Sequence, residues 1–151
     1  MKATIPMTIR IRPVERADYD WLLDLHHTVY RELIISEFGY WDDDEELGLF
    51  LDSWETKKID IILKQNKPVG MFIIEQQGDY LWLDELQIEP QYQNQGIGTA
   101  VILQLICRAR KLGLPLRLRV LHANLGAFRL YQKLGFQKIR RAEHHHLMEV
   151  W

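Results

Sequence analysis

The spacing of apolar and polar positions changes along the chain, and each spacing predicts an element. Residues 17–35 place an apolar side chain at every fourth position, which predicts an amphipathic helix. An aromatic and then acidic break follows at 38–44, and residues 45–57 predict a second, shorter helix. Before both helices, apolar residues on either side of Pro13 predict a short opening strand.

Three β-rich segments follow the second helix and predict an antiparallel meander. They cover residues 59–63, 69–75 and 80–88, and short turns at 66–68 and 78–79 separate them. Such short connections join antiparallel neighbours, because a parallel pair needs a long crossover.

The remainder of the chain alternates helices with strands and completes a mixed α/β pattern. Helices are predicted over residues 97–112 and 124–134, with a strand at 116–121 between them. Two closing strands are predicted at 136–140 and 146–150, so strands from both ends of the chain feed one sheet.

Length and charge limit the classes of protein to consider. The 151 residues suit a single domain, residues 1–151, and 47% apolar side chains suffice for a core. A formal net charge of −2 gives no general attraction to nucleic acid or to anionic membranes, so neither partner is expected. No apolar run approaches the roughly 20 residues of a membrane span, and Pro6 interrupts a start too short for a signal peptide. We therefore expect a cytoplasmic protein.

The side chains with redox or metal chemistry indicate neither activity. Cys107 is the only cysteine, and its place in the apolar run 102–107 predicts a buried, unreactive thiol. His144, His145 and His146 are consecutive, and consecutive strand residues alternate sides, so they do not suit one shared metal ion. No metal is expected, and these histidines either lie on a surface strand or edge the substrate site.

The segment before the third predicted helix has the composition of an anion-binding loop. Backbone N–H groups at a helix start have no intrahelical partner, and the helix dipole adds positive potential there. Glycines at 96 and 98 remove the Cβ atoms that would keep a ligand away, which predicts a cradle for phosphate or pyrophosphate. The alternative is a tight strand-to-helix turn without a ligand. The loop residues are Gln93, Asn94, Gln95, Gly96, Ile97, Gly98 and Thr99.

Two motifs together resemble those of the GNAT superfamily of N-acyltransferases. Gln-x-x-Gly-x-Gly at 93–98 resembles the acyl-CoA pyrophosphate motif of that family, and the element order is similar over the whole chain. The resemblance implies an α/β fold whose mixed, mostly antiparallel sheet splays between strands four (80–88) and five (116–121) and is flanked by helices. The second motif consists of Asn124, Ala127, Tyr131, Lys133, Gly135 and Phe136.

The resemblance also implies acetyl-CoA as the acyl donor, held in the splay. Its pantetheine arm would pair with the backbone around residues 86–88, and its pyrophosphate would contact the N–H groups of residues 95–99. Asn124 can touch the cofactor arm in this family, although Asn is also a strong helix N-cap. The implied cofactor-binding residues are Leu86, Gln87, Ile88, Gln93, Asn94, Gln95, Gly96, Ile97, Gly98, Thr99, Asn124, Ala127, Tyr131 and Lys133.

Amide formation from a thioester requires a base, an oxyanion donor and a proton for the departing thiolate. A lysine-like amine has a pKa of about 10.4, so a group must accept its proton near neutral pH. By resemblance, the oxyanion donor is a backbone N–H about Leu86, freed by a bulge. Tyr131 supplies the thiolate proton by the same resemblance, because a phenol stays protonated at neutral pH. The alternative for Tyr131 is an ordinary helix aromatic packed on the core.

Asp84 and Glu85 are the candidate bases. Two adjacent acids are unusual in an otherwise apolar strand. Successive strand residues point to opposite faces unless a bulge intervenes, and acids at either position can meet the substrate amine in this family. The alternative is that one acid faces solvent or pairs with an arginine such as Arg117 or Arg119, and the sequence leaves the choice open.

The aromatic residues Phe38, Tyr40 and Trp41 are the candidates for binding the acceptor amine. They directly precede the acidic residues 42–46, and in the family this segment commonly forms a wall of the acceptor site. Aromatic faces beside carboxylates suit a cationic amine, whereas the alternative is a helix start whose acids favour the helix dipole. A small-molecule or peptide amine acceptor is expected, and exposed strand edges favour a homodimer. The alternative function is a non-catalytic acyl-CoA-binding sensor on the same fold.

Overall fold

The computed structural model describes residues 8–151, so the signal-peptide expectation concerns residues outside the described part. The strands are β1 (Ile9–Pro13), β2 (Ile59–Lys64), β3 (Lys67–Gln77), β4 (Tyr80–Ile88), β5 (Leu116–Leu121), β6 (Gln137–Arg141) and β7 (His145–Val150). The helices are α1 (Tyr19–Phe38), α2 (Asp43–Thr56), α3 (Ile97–Lys111) and α4 (Leu125–Lys133), with 3₁₀ turns at Arg16–Asp18 and Pro90–Tyr92. None of these helices is both long and apolar enough to cross a bilayer.

The described strands form one sheet in the order β1-β2-β3-β4-β5-β7-β6. Neighbouring strands are antiparallel except β4 and β5, which run parallel because α3 crosses over between them. The predicted meander of β2, β3 and β4 is confirmed, and so is the mixed, mostly antiparallel α/β sheet.

The sheet splays between β4 and β5, as the family resemblance implied. Parallel pairing covers only three positions, from Leu81 opposite Leu116 to Leu83 opposite Leu118. Beyond Leu83 the two strands separate, and the rest of β4 has no backbone partner on its β5 side. The splay therefore opens a gap at the carboxyl ends of both strands, near the middle of the sheet.

Two hydrophobic clusters cover the two faces of the sheet. On one face, Ile102 and Leu105 of α3 pack against β-strand side chains such as Leu83. On the other face, Leu22 and Leu25 of α1 pack with Phe50 of α2 against β2 and β3. Burial of apolar surface stabilises this packing by about 25 cal/mol per Å². The splay lies between the two helix layers.

Some element boundaries and one burial prediction differ from the sequence-based expectations. α1 begins two residues later than predicted and continues to Phe38, where Gly39 ends it with a φ of 86°. The expectation of a buried thiol at Cys107 is wrong, because this side chain is exposed. The inward face of α3 contains Leu105, Ile106 and Ala109, so position 107 turns outward despite its apolar neighbours in sequence.

Candidate active site

A β-bulge in β4 places both candidate bases on the same face of the sheet. Ile73 lies opposite Glu85 and Ile74 lies opposite Leu83, so Asp84 is the extra residue and has no partner in β3. An extra residue interrupts the alternation of side chains, and Asp84 and Glu85 therefore both reach groups on the side of α1 and α2. The bulge lies two residues before Leu86, close to the position where a bulge was predicted.

Asp84 is held in an ion-pair network at the end of α2. Its Oδ2 accepts a hydrogen bond from Lys57 Nζ at 2.7 Å, and its Oδ1 accepts one from Trp82 Nε1 at 3.2 Å. The same lysine lies 3.2 Å from Glu75. Burial opposes the charge of Lys57, but the two carboxylates outweigh it and raise the pKa of the lysine.

The ion-pair partner of Asp84 is therefore neither Arg117 nor Arg119, the two arginines considered from the sequence. Arg117 Nε lies 2.5 Å from Glu149 Oε2 on β7, and its guanidinium stacks on the Tyr80 ring. The carboxylate of Asp84 is instead neutralised by Lys57, a residue that directly follows α2 and that the sequence analysis did not single out.

Glu85 has a different environment, because it lies half-buried at the floor of the splay. The Tyr30 hydroxyl on α1 donates a hydrogen bond to Glu85 Oε2, and Gln87 Nε2 lies 3.4 Å from the same oxygen. Among the described residues, Oε1 of Glu85 has no hydrogen-bond partner. Burial raises the pKa of Glu85 and the charge of Asp84 adds to the rise, while the bonds from Tyr30 and Gln87 oppose it.

Tyr131 lines the same cleft from α4. Burial raises the pKa of Tyr131 to about 12, and the negative charge of Glu85 contributes to the rise. The phenol is therefore protonated at neutral pH. Asn124 begins α4 as its N-cap, with Oδ1 accepting from the Ala127 N–H at 3.2 Å. Among residues 8–151, its amide nitrogen has no acceptor.

A cleft of about 600 Å³ joins these groups between the α1–α2 layer and the splay. Glu85 of β4 lines it together with Tyr131 and Asn124 from α4 and its N-cap. Ala127, Lys133 and the loop at residues 93–99 do not line it. The predicted site residues that do are Phe38, Tyr40, Asp84, Glu85, Leu86, Gln87, Asn124 and Tyr131.

The glycine loop forms an open helix N-terminus next to the splay. Gly96 has a φ of 83° and precedes α3, and the first intrahelical bond runs from Ala100 N to Gly96 O. The N–H groups of residues 97–99 therefore have no partner within the helix. No acidic residue lies in this first turn, and a Cβ built on Gly98 would meet nothing within 4 Å. This geometry suits a bound anion.

Side-chain bonds hold the loop in this shape. Gln93 Nε2 donates to the Ile88 carbonyl at 2.9 Å, and Gln95 Nε2 donates to the Gln91 carbonyl at 3.1 Å. Lys64 Nζ reaches the Gln95 side-chain oxygen at 2.9 Å and brings a positive charge to the loop. The Ile88 carbonyl oxygen already accepts the bond from Gln93, so a bond from a cofactor arm would use its remaining lone pair.

The three acceptor-site aromatics separate into two groups. Phe38 and Tyr40 line the cleft and are 38% and 57% exposed. Trp41 packs edge-on against His27, and its Nε1 donates to Asp43 at 2.8 Å. Only the first two aromatics therefore face the cleft directly.

Several site residues escaped the sequence analysis because their partners are distant in sequence. Tyr30 is one, and Lys57 is another. His26 is buried and lies 2.9 Å from Glu46, so this pair joins α1 to α2 in the wall of the cleft. Of the three consecutive histidines, only His145 lines the cleft, while His144 contacts Glu37. In the part of the chain from residue 8 onward, no three His, Cys, Asp or Glu side chains form a metal-binding group.

The sequence matches a known family over most of its length. Residues 21–136 match the profile of the Acetyltransferase (GNAT) family. A curated relative, the thialysine N-epsilon-acetyltransferase of Bos taurus, is 37% identical over 70 residues. That match covers 46% of this chain and 41% of the length of the relative.

Solved acetyltransferase structures have the same fold. The PaiA N-acetyltransferase of Thermoplasma acidophilum, in complex with coenzyme A, superposes with a TM-score of 0.72 at 19% identity, covering 95% of this chain and 98% of that one. A GNAT family acetyltransferase of Elizabethkingia anophelis with acetyl-CoA bound gives 0.66 at 16% identity, covering 94% and 97%. At such low identity these structures establish the fold alone.

Proposed function

The chain belongs to the acetyltransferase (GNAT) family, and we propose that it transfers the acetyl group of acetyl-CoA to a primary amine by direct attack in a ternary complex. The observation that carries this proposal is the placement of Glu85 and Tyr131 in the lining of one cleft at the splay. A base for the amine and an acid for the thiolate are thus available in the same cleft.

Acetyl-CoA supplies an activated thioester, and the protein offers places for each part of it. Its pyrophosphate would lie on the N–H groups of residues 95–99, where a missing Cβ at Gly98 leaves open space. Its pantetheine arm would follow the unpaired side of β4 at residues 86–88. The free amide nitrogen of Asn124 would donate to the arm, with Ala127 and Lys133 of α4 nearby in sequence. The Leu86 N–H, beyond the last β4–β5 pair, would donate to the thioester oxygen.

Glu85 is the proposed base, and the contacts of the acidic pair support this choice. Asp84 forms an ion pair with Lys57, and accepting a proton would break that pair. Glu85 keeps one oxygen free, and burial raises its pKa toward the pH at which it would work. A general base is most effective when its pKa lies near the working pH.

Tyr131 is the proposed acid. As the C–S bond breaks, the phenol would donate a hydrogen bond and then its proton to the departing sulfur. The ammonium ion first loses one proton to solvent. As the C–N bond forms and the C–S bond breaks, the amine nitrogen loses a second proton to Glu85 while the sulfur gains one from Tyr131, and exchange with solvent restores both side chains. Because the pKa of Tyr131 is raised to about 12, its proton stays available over the whole range in which the amine can be deprotonated.

The proposed acceptor is a small-molecule or peptide primary amine that enters beside α1 and α2. Phe38 and Tyr40 offer aromatic faces to it, and Trp41 would support that wall from behind. The curated relative is named for acetylation of the ε-amine of thialysine, which is a primary amine on a flexible chain. We also propose that β6, whose residues are all exposed at the sheet edge, favours a homodimer.

Release of CoA thiol across a panel of amines tests the reaction. We expect acetyl-CoA-dependent turnover with at least one amine, and Glu85→Gln should lower kcat by roughly 100-fold, as for loss of a general base. Asp84→Asn removes the same charge one residue away and serves as the matched control. It should leave most of the activity, because the charge of Asp84 raises the pKa of Glu85 but takes no proton from the amine.

The outcomes separate an enzyme from an acyl-CoA sensor. Tight binding of acetyl-CoA without thiol release for any amine would favour the sensor. If Asp84→Asn removes activity while Glu85→Gln retains it, the assignment of the base is wrong. Equal, complete loss in both variants would instead indicate that the pair acts as a unit.

A further inference from the structure

One face of α2 presents a periodic stripe of side chains to the cleft. Its members are Asp42 at the N-cap, then Glu45, Leu49 and Asp52, all exposed and all lining the cleft. Spacings of three and four residues place them on one side of the helix. Asp43 and Asp44 belong to the same acidic run but do not line the cleft.

Within the described part of the chain, the acids of this stripe have no cationic partner, in contrast to Glu46 and Asp84 of the same cleft. Within residues 8–151, no Lys, Arg or His nitrogen lies within 4.0 Å of Asp42, Glu45 or Asp52. Glu45 accepts only a long hydrogen bond of 3.4 Å from the Tyr40 hydroxyl. By comparison, Glu46 is paired with His26, as Asp84 is with Lys57. The stripe therefore gives this wall of the cleft an unbalanced negative charge.

A second observation at the cleft floor indicates a ligand that donates N–H bonds. Gln87 lines the cleft and is only 4% exposed, and its Oε1 is buried without a hydrogen-bond partner. Oε1 of the neighbouring Glu85 has no partner among the described residues either. A buried acceptor such as Gln87 Oε1 is costly to leave unpaired, and the protons of an amine would bond both this oxygen and the Oε1 of Glu85.

The order of charged and apolar side chains along α2 also matches one class of ligand. Leu49 is 62% exposed and separates the acids Glu45 and Asp52, so charge, apolar surface and charge follow one another. From Asp42 to Asp52 the helix rises about 15 Å. An alkyl chain with a cation beyond its methylene groups matches the apolar and acidic side chains of this wall, and the exposed faces of Phe38 and Tyr40 would cover the methylene groups.

We propose that the α2 stripe is a subsite for a second cationic group of the acceptor, so that the substrate class is an alkyl diamine or longer polyamine. One amine would lie at Glu85 and Gln87, where the reaction takes place, and the other would pair with the carboxylates of α2. This inference rests on the proposed acetyl transfer for the identity of the reacting end, but the binding of the second cation is independent of turnover.

Calorimetry without an acyl donor tests the subsite, with 1,5-diaminopentane and 1-aminopentane as the probes. The diamine should bind roughly fivefold more tightly, as expected for a partly exposed ion pair. The double variant with Glu45→Gln and Asp52→Asn should lose this preference, and higher salt should weaken it. Asp44→Asn is the matched control, since it removes an acid from the same first turn of α2 but outside the cleft. It should keep the preference.

Each outcome decides the proposal. Equal affinity for the two probes, no binding of either, or the same loss in Asp44→Asn would overturn the subsite. Asp42 is left unchanged because it caps the helix, and thermal unfolding checks that the variants remain folded.

A turnover assay with the same two amines then tests the subsite and the proposed acetyl transfer separately. If the monoamine is acetylated as well as the diamine, only the subsite fails. If the diamine binds preferentially but is never acetylated, only the reaction fails.

Discussion

The hydroxyl of Tyr30 on α1 donates a hydrogen bond to Oε2 of Glu85 on β4, across 55 positions of sequence. Burial raises the pKa of Tyr30 well above its usual range, and the charge of Glu85 adds to the rise, so the phenol keeps its proton and remains a donor. A donor fixed in this way stabilises the charged carboxylate and leaves its other oxygen available for the proposed contact with the amine. The contact therefore orients Glu85 and moderates the effect of burial on its pKa.

Replacing Tyr30 by Phe should move the acidic limb of the pH profile of kcat/KM to higher pH. The hydrogen bond favours the charged form of Glu85, so its loss raises the pKa of that carboxyl further. The base is active only when deprotonated, and activity would then be lost at a higher pH on acidification. Initial rates between pH 5 and 9 measure the limb.

Tyr19→Phe is the matched control for this change, because Tyr19 lies on the same helix and packs its ring against Phe50 and Trp54. It should leave the profile where it is. A Tyr30→Phe enzyme with reduced rate but an unmoved acidic limb would show that Tyr30 serves packing alone.

Replacing Tyr131 by Phe should lower kcat by roughly 100-fold, as for loss of a general acid. The ring and its contact with Phe136 remain, so affinity for acetyl-CoA should change little. Because the pKa of Tyr131 is raised to about 12, the loss should be the same from pH 6 to pH 9. Stopped-flow thiol release, with acetyl-CoA binding followed separately by calorimetry, measures both quantities. An unchanged rate when chemistry is limiting would mean that another group protonates the sulfur.

A side chain at position 98 should block the anion site at the start of α3. Gly98→Val would fill the open space above the first turn, and affinity for acetyl-CoA should fall roughly 10- to 100-fold, equivalent to about 1–3 kcal/mol of steric conflict. Gly48→Val is the control, because its Cβ on α2 also meets nothing within 4 Å. Calorimetry on both variants gives the comparison, and equal affinities would place the pyrophosphate elsewhere.

A methyl group at position 70 should destabilise the sheet beside the splay. A Cβ on Gly70 would lie 2.4 Å from the Gln87 carbonyl oxygen, so β3 and β4 would have to move apart. We expect Gly70→Ala to lower the free energy of unfolding by about 1–3 kcal/mol. Gly48→Ala should instead raise it by about 0.5–1 kcal/mol, because Ala is the better helix residue where space is open. Urea denaturation distinguishes the two, and a neutral Gly70→Ala would contradict the close approach.

Most helices and strands could be predicted because their signals are local. The fourfold spacing along α1, the β-rich runs of the meander and the Gly96–Gly98 helix start are all short-range patterns, and the structure has an element at each. Cys107 shows where local pattern misleads. Its neighbours in sequence are apolar, but burial on a helix depends on the face that packs against the sheet, and position 107 lies on the other one.

The sequence by itself determined the order of elements, the family and the chemical types available at the site, because spacing, glycines and motif residues are properties of the chain. Only the tertiary structure decided which of the two acids pairs with a lysine and which receives a hydrogen bond from a tyrosine. The choice between Asp84 and Glu85 depends on the bulge opposite Ile73 and Ile74, and on partners brought from two helices, Lys57 and Tyr30. The offset of two strands and the charge of a distant side chain are relations between segments, and no local pattern encodes them.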